Sequence, residues 1–198
     1  MIEVYNFDGQ DIEECRVKCL DNLDVYNNEI LIKEINSDTG VSIDVIKKDD
    51  VKKYIEDYIQ ELGNNMNIEI KSNIFEEDDV FFVRINSNNN SILIGKDGKT
   101  LNSIQYLLRK TISNLTGFNV NVNIDVSNYK KKIEKKFENE IKQIINEVLK
   151  SKIETKLDPM NSYKRRIVHS IASNYYNIET MSVGEEPNRC TIIKYVEK

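Results

Sequence analysis

The chain has 198 residues, 39% of them hydrophobic and 31% charged, so it is too apolar for wholesale disorder and long enough for two or three small modules. Its net charge of -5 hides an asymmetry: residues 1–50 carry -8, residues 51–125 carry -2 and residues 126–198 carry +5, so a phosphate-bearing partner is excluded from the front of the chain rather than from the whole. No run approaches the about 18–20 apolar residues of a bilayer crossing, and the acidic opening MIEVYNFDGQ has no signal-peptide regions, so a cytoplasmic protein without membrane insertion is expected.

In chain order, a strand is expected over Ile2–Asn6, then a Phe7-Asp8-Gly9 turn. A helix follows with Ile12, Cys15, Cys19, Leu20 and Leu23 at helical spacing. Ile30, Ile32 and Ile35, then Val41, Ile43 and Val45 beyond Asp38-Thr39-Gly40, alternate with polar neighbours as a hairpin. This β-α-β-β module, residues 1–48, is marginal alone and needs support from the rest of the chain or from a partner. Cys15 and Cys19 lie on the apolar stripe and read as buried structural cysteines. The single histidine lies far away in sequence, so no metal set is completed, and three cysteines in a reducing compartment predict no disulfide framework.

Lys47-Lys48-Asp49-Asp50 reads as a joint whose aspartate caps a helix carrying Val51, Tyr54, Ile55, Tyr58, Ile59 and Leu62, ended by Gly63. Strands are expected over Asn67–Ser72 and Val80–Asn86, with Glu76-Glu77-Asp78-Asp79 as a solvated tip that lacks calcium-loop spacing. The stretch SILIGKDGK, residues 91–99, precedes a helix with Leu101, Ile104, Leu108, Ile112 and Leu115 inward, closed by Gly117. Phe118, Val120, Val122, Ile124 and Val126 then alternate strictly with polar residues as a half-buried strand. A long basic helix starts near Ser127-Asn128, with Ile133, Phe137, Ile141, Ile144, Ile145, Val148 and Leu149 inward. Asp158-Pro159 opens a second helix through Tyr175, and two strands flank Gly184-Glu185-Glu186-Pro187.

Residues 51–127 therefore read α-β-β-α-α-β, with Gly95-Lys96-Asp97-Gly98 between the second and third helices. A G-x-x-G loop in that setting resembles the KH domain in its type II arrangement. Two glycines let a nucleic-acid backbone approach, amides at the next helix start face phosphate, and Lys96 and Lys99 add charge. The resemblance implies a clamp on about four nucleotides of a single strand. Its binding residues are Ile94, Gly95, Lys96, Gly98 and Lys99, with Ile92, Ile94 and the alternating sheet as the apolar groove. Asp97 partly cancels Lys96. The ending Gly98-Lys99-Thr100 mimics a phosphate-binding loop of nucleotide hydrolases, but Leu93 stands where its first glycine belongs, which disfavours hydrolysis.

Arg165 and His169 are four apart on a helix and share a face. By themselves they read more often as a structural hydrogen-bonding network. Their spacing resembles the R-three-H domain, a small single-strand binder. Together with Asp158, Pro159, Met160, Asn161, Arg166, Gly184, Glu186, Pro187 and Arg189 they resemble the bacterial Jag, or KhpB, family, across residues 51–198. The first fifty residues match it only in size, position and β-α-β-β order and lack the usual Lys-Gly-Phe-type loop. The resemblance implies an α+β chain of three modules: residues 1–48, a type II KH domain at 49–127, and an R-three-H domain at 128–198 with a long helix, a second helix and a two-stranded hairpin. It implies a bacterial RNA regulator linked to cell envelope or division. Arg165, Arg166, His169 and Arg189 form its second contact set, with His169 or Tyr163 stacking on a base. Single-stranded RNA or DNA, a small KH protein and a second copy of the chain are the partners considered, and an adaptor that binds proteins is the alternative. No cofactor, metal or catalytic residue is expected, since no nucleophile-base order or carboxylate pair is present.

Overall fold

The computed structural model describes residues 1–37 and 40–197, and the expected turn at Asp38-Thr39 lies outside the described residues. These form two units, residues 1–129 and 130–198. Among the described residues no helix is long and apolar enough to cross a membrane.

The first unit opens with β1 (Tyr5–Gly9), α1 (Ile12–Leu23), β2 (Ile30–Ser37) and β3 (Gly40–Lys47), in an antiparallel sheet of order β1-β3-β2. Asp11 caps α1 by accepting from the Glu14 amide at 2.8 Å, and the Glu14 carboxylate accepts from the Gln10 amide at 2.8 Å. Cys15, Cys19, Ile30, Ile43 and Val45 form the small core. The first strand runs three residues later than expected, and Phe7-Asp8-Gly9 belongs to it rather than to a turn. The reason is that Tyr5 and Phe7 pack on this core while Ile2 is buried elsewhere. Ile2 and Ile46 join Val51, Ile55 and Ile59 in the core of the following module, so β3 buries Ile43 and Val45 in one core and Ile46 in the other.

No joint separates the two modules. β3 ends at Lys47, and α2 (Lys48–Asn65) starts at the next residue. The cap residue is Lys47. Asp49 and Asp50 lie in the first turn, where negative charge suits the helix dipole. Lys48 is buried, and its ammonium meets Glu76 at 3.0 Å and Asp79 at 2.6 Å, so the acidic tip is an ion-pair partner rather than a wholly solvated run. Burial lowers the Lys48 pKa, but the hydrogen bonds that its ammonium donates to Asp79 and Glu76 outweigh it and leave the pKa raised. Helix α2 passes Gly63, whose face is closed over by Ile68 and Ile70.

Next come β4 (Ile70–Glu77), β5 (Val80–Ser87), α3 (Asn90–Ile94), α4 (Lys99–Thr116) and β6 (Asn121–Val126). The sheet order is β4-β5-β6, with the first pair antiparallel and the second parallel. Val51, Ile55 and Ile59 of α2 and Leu101, Leu108 and Ile112 of α4 share one core with Phe81, Val83, Val122 and Ile124 of the sheet. Leu115, expected inward, is exposed. Thr116 takes the buried place and donates its hydroxyl to the Ile112 carbonyl at 2.8 Å. The edge strand β6 is blunted by α4: Gln105 accepts from the Ile124 amide at 2.9 Å and Arg109 Nε donates to the Val122 carbonyl at 2.7 Å. Lys33 of β2 donates to the Gly117 carbonyl at 3.2 Å, a cation at the C-terminal end of α4.

The second unit holds most of α5 (Tyr129–Ser151), then β7 (Thr155–Lys156), α6 (Ser162–Ala172), β8 (Ile178–Val183) and β9 (Cys190–Tyr195). Ile141, Ile145, Val148, Leu157, Val168, Ile171 and Ile193 are its core, and Ile133, expected inward, is exposed. The sheet has order β7-β9-β8, all antiparallel, one strand more than the expected hairpin because two residues are too few to show a period. Helix α6 starts later than Asp158-Pro159, with Asn161 as its cap accepting from the Lys164 amide at 3.0 Å. Residues 157–160 instead follow β9, where the Leu157 amide donates to Thr191 at 2.9 Å and the Met160 amide to Arg189 at 3.1 Å.

Candidate nucleic-acid interface

Three of the four residues of the Gly95-Lys96-Asp97-Gly98 loop have positive φ: 69° at Gly95, 54° at Asp97 and 77° at Gly98. Gly95 combines its φ with ψ of -176°, a conformation essentially reserved for glycine, and an added Cβ would overlap the Thr100 hydroxyl and stand 2.7 Å from Thr100 Cβ. Gly98 caps α4 with no side chain to accept from the first-turn amides, so the positive end of an 18-residue helix opens onto the loop. Lys96, Asp97 and Lys99 are exposed and make no side-chain hydrogen bond or ion pair among the described residues. The loop thus offers backbone, a helix start and two exposed cations, opposed by one carboxylate.

Beside it, Ile92 is 45% exposed, whereas Ile94 is partly buried against the core. The sheet does not supply the expected groove: Val122, Ile124 and Val126 are fully used in the core. Two features escaped the sequence reading. The ring of Tyr129 lies across Gly98, as the distance from an added Cβ to its Cε1, 3.0 Å, shows. On the outer sheet face, Phe75 stacks on Phe82 at 5.3 Å between centroids, and the Arg84 guanidinium lies 4.7 Å above the Phe75 ring. Phe75 and Phe82 are directly paired in the β4–β5 register, a relation that follows only from the hairpin's exact pairing.

In the second unit, Arg165 and His169 share a helix face but engage different partners. Arg165 is buried, and its Nη1 donates to the Met160 carbonyl at 2.7 Å and to Glu186 at 2.8 Å. His169 is half-buried, with Nδ1 2.6 Å from the Thr180 hydroxyl and Nε2 3.0 Å from the Ser182 hydroxyl. A neutral imidazole donates from one nitrogen and accepts at the other, and two hydroxyls satisfy either tautomer. Thr180 and Ser182 are two apart on β8, hence on one face, a signal the sequence contained. Arg166 and Arg189 are exposed, with no side-chain partner among the described residues. Tyr163 is also exposed; its hydroxyl donates to Glu134, which raises the phenol pKa. The lysines at 131, 135, 136 and 142 line the exposed side of α5.

Residues 52–124 match the family model of the KhpA/KhpB KH domain, and residues 132–195 that of the R-three-H domain. The chain is similar to the RNA-binding protein KhpB of Clostridium symbiosum, with 31% identity over 65% of this chain and 58% of that protein. It is 32% identical to the Bacillus subtilis (strain 168) protein of the same name over 53% of this chain and 51% of the relative. Against that of Lactiplantibacillus plantarum it is 28% identical over 52% of this chain and 32% of the relative. The chain thus spans between a third and somewhat over half the length of these curated relatives.

Proposed function

The chain belongs to the KhpB, or Jag, family, and from that premise we propose that it is a non-enzymatic binder of single-stranded RNA with two contact surfaces in tandem. One observation carries the reading: a glycine-enforced loop at an uncapped helix start, flanked by Lys96 and Lys99, both exposed and unpaired among the described residues. Backbone amides and lysines of this kind bind phosphate, and unstacked bases find Ile92 and Ile94 beside them. The second surface uses Arg166 and Arg189, with Arg165 and His169 beneath it. The three-module division at 1–48, 49–127 and 128–198 belongs to this reading and is supported by three separate sheets among the described residues. A cytoplasmic place, and a regulatory role tied to cell envelope or division, rest on the family likeness.

The test is a titration of the full chain with a labelled 20-nucleotide single strand and with a duplex of the same length. Tighter binding of the single-stranded RNA is expected, with single-stranded DNA as a further arm. Equal affinity for the RNA single strand and duplex would overturn the reading.

A second reading has its own observation. Leu107 and Leu115, eight residues apart on one face of α4, are 53% and 55% exposed. This face supports docking of a small KH-domain protein or of a second copy. Mass measurement by light scattering, with Leu107→Glu as the control that abolishes any dimer, decides it.

A further inference from the structure

Arg165 is the residue that the R-three-H spacing singles out for a phosphate, yet the geometry gives it another task. Its side chain is only 9% exposed, and Nη1 already serves two acceptors, the Met160 carbonyl at 2.7 Å and Glu186 Oε1 at 2.8 Å. A phosphate approaching this guanidinium would meet the Glu186 carboxylate in its place, and like charges repel. Met160 is the hub of the arrangement. Its carbonyl accepts from Arg165, while its amide donates to the carbonyl of Arg189 at 3.1 Å. The tip between β8 and β9 is closed further by the Asn188 amide donating to Glu185 at 2.8 Å. A continuous chain of hydrogen bonds thus runs from Glu186 through Arg165 and Met160 to the backbone of Arg189.

We propose that Arg165 is a positioning residue rather than a phosphate ligand: clamped to Glu186, it fixes the β8–β9 tip so that the exposed side chain of Arg189 meets the phosphates of a single strand. The proposal rests on the RNA-binding reading of this unit. Arg189 suits the role because its side chain is exposed and makes no contact with an acid among the described residues, while its backbone is pinned. Glu186 is 59% exposed on its side chain, so it can be changed without opening the core, which is not true of Arg165.

The experiment uses the full chain and a 20-nucleotide oligouridylate as probe. Glu186→Gln removes the clamp's charge. The positioning role predicts affinity lowered by roughly threefold or more, because a loosened tip presents Arg189 less often. It predicts no further loss when Glu186→Gln is added to Arg189→Gln, since both act through one side chain. Glu186→Asp, which keeps a carboxylate for Arg165, should lose less affinity than Glu186→Gln. Tighter binding and a steeper salt slope for Glu186→Gln would overturn the proposal, because a freed Arg165 would then be the ligand. Hydrogen exchange of residues 184–190 without RNA separates the clamp from the RNA reading. Faster exchange in Glu186→Gln is expected; unchanged rates would mean that no clamp exists. If the wild-type chain ignores the oligouridylate, the RNA reading falls while the exchange rates still decide the clamp.

Discussion

The ring of Tyr129 closes the underside of Gly98: a Cβ built on that glycine would stand 3.0 Å from Tyr129 Cε1 and 3.3 Å from its hydroxyl oxygen. Gly98 also sits at φ +77°, so Gly98→Ala suffers both from the contact and from the left-handed backbone. The expected cost is about 1–3 kcal/mol in a urea titration. Adding Tyr129→Ala to Gly98→Ala should relieve only the contact part, leaving the pair short of the sum of the two single changes. Strict additivity would show that the ring and the loop are independent.

Asp97 is exposed beside Lys96 in the same loop. Asp97→Lys removes a negative charge from the proposed phosphate site and adds a positive one, so single-strand RNA should bind more tightly with a steeper salt slope, and Lys96→Asp should do the reverse. Unchanged affinity in both, measured by anisotropy, would take the loop out of the interface.

Lys48 ties the start of α2 to the β4–β5 tip through Glu76 and Asp79. Lys48→Met should cost about 2 kcal/mol, below the cost of breaking a fully buried pair because Asp79 is largely exposed. The pKa of Lys48 is raised in the fold, so its contribution is fully present below the unfolded value of about 10.4 and is lost as pH rises through the higher folded value. The stability gap between wild type and Lys48→Met should therefore stay flat from neutral pH to about pH 10 and narrow above it. A gap that closes between pH 6 and 9, followed by urea midpoints, would contradict this assignment.

The elements that rest on a repeated period were legible in the sequence. Val51, Ile55 and Ile59, Leu101, Leu108 and Ile112, and Val122, Ile124 and Val126 are all core, as their spacing required. What escaped was set by partners distant in sequence. Lys47-Lys48-Asp49-Asp50 has the composition of a linker, but Glu76 and Asp79 accept Lys48, and Ile46 reaches the neighbouring core. The β7 pairing exists only because β9 returns beside it. The loop glycines could be located from spacing alone, whereas Thr100 and Tyr129, which make them necessary, became visible only once the helices were placed.

Cys15, Cys19 and Cys190 are buried free thiols, and burial pushes the Cys19 thiol up. Folded protein should give almost no reaction with a disulfide reagent at pH 8, and all three thiols should appear in urea. Rapid reaction of even one thiol in the native state would show that its module opens locally.

The central claim is that exposed cations at two surfaces meet the phosphates of one strand, and its most direct test is the salt dependence of binding. For the full chain and a 20-nucleotide single-stranded RNA, log K against log salt should fall with a slope of about -3 if Lys96, Lys99, Arg166 and Arg189 each neutralise one phosphate at about 0.7 per contact. Replacing all four by Ala should bring the slope close to zero with the fold retained. A wild-type slope near zero, or a slope untouched by the fourfold change, would contradict the account.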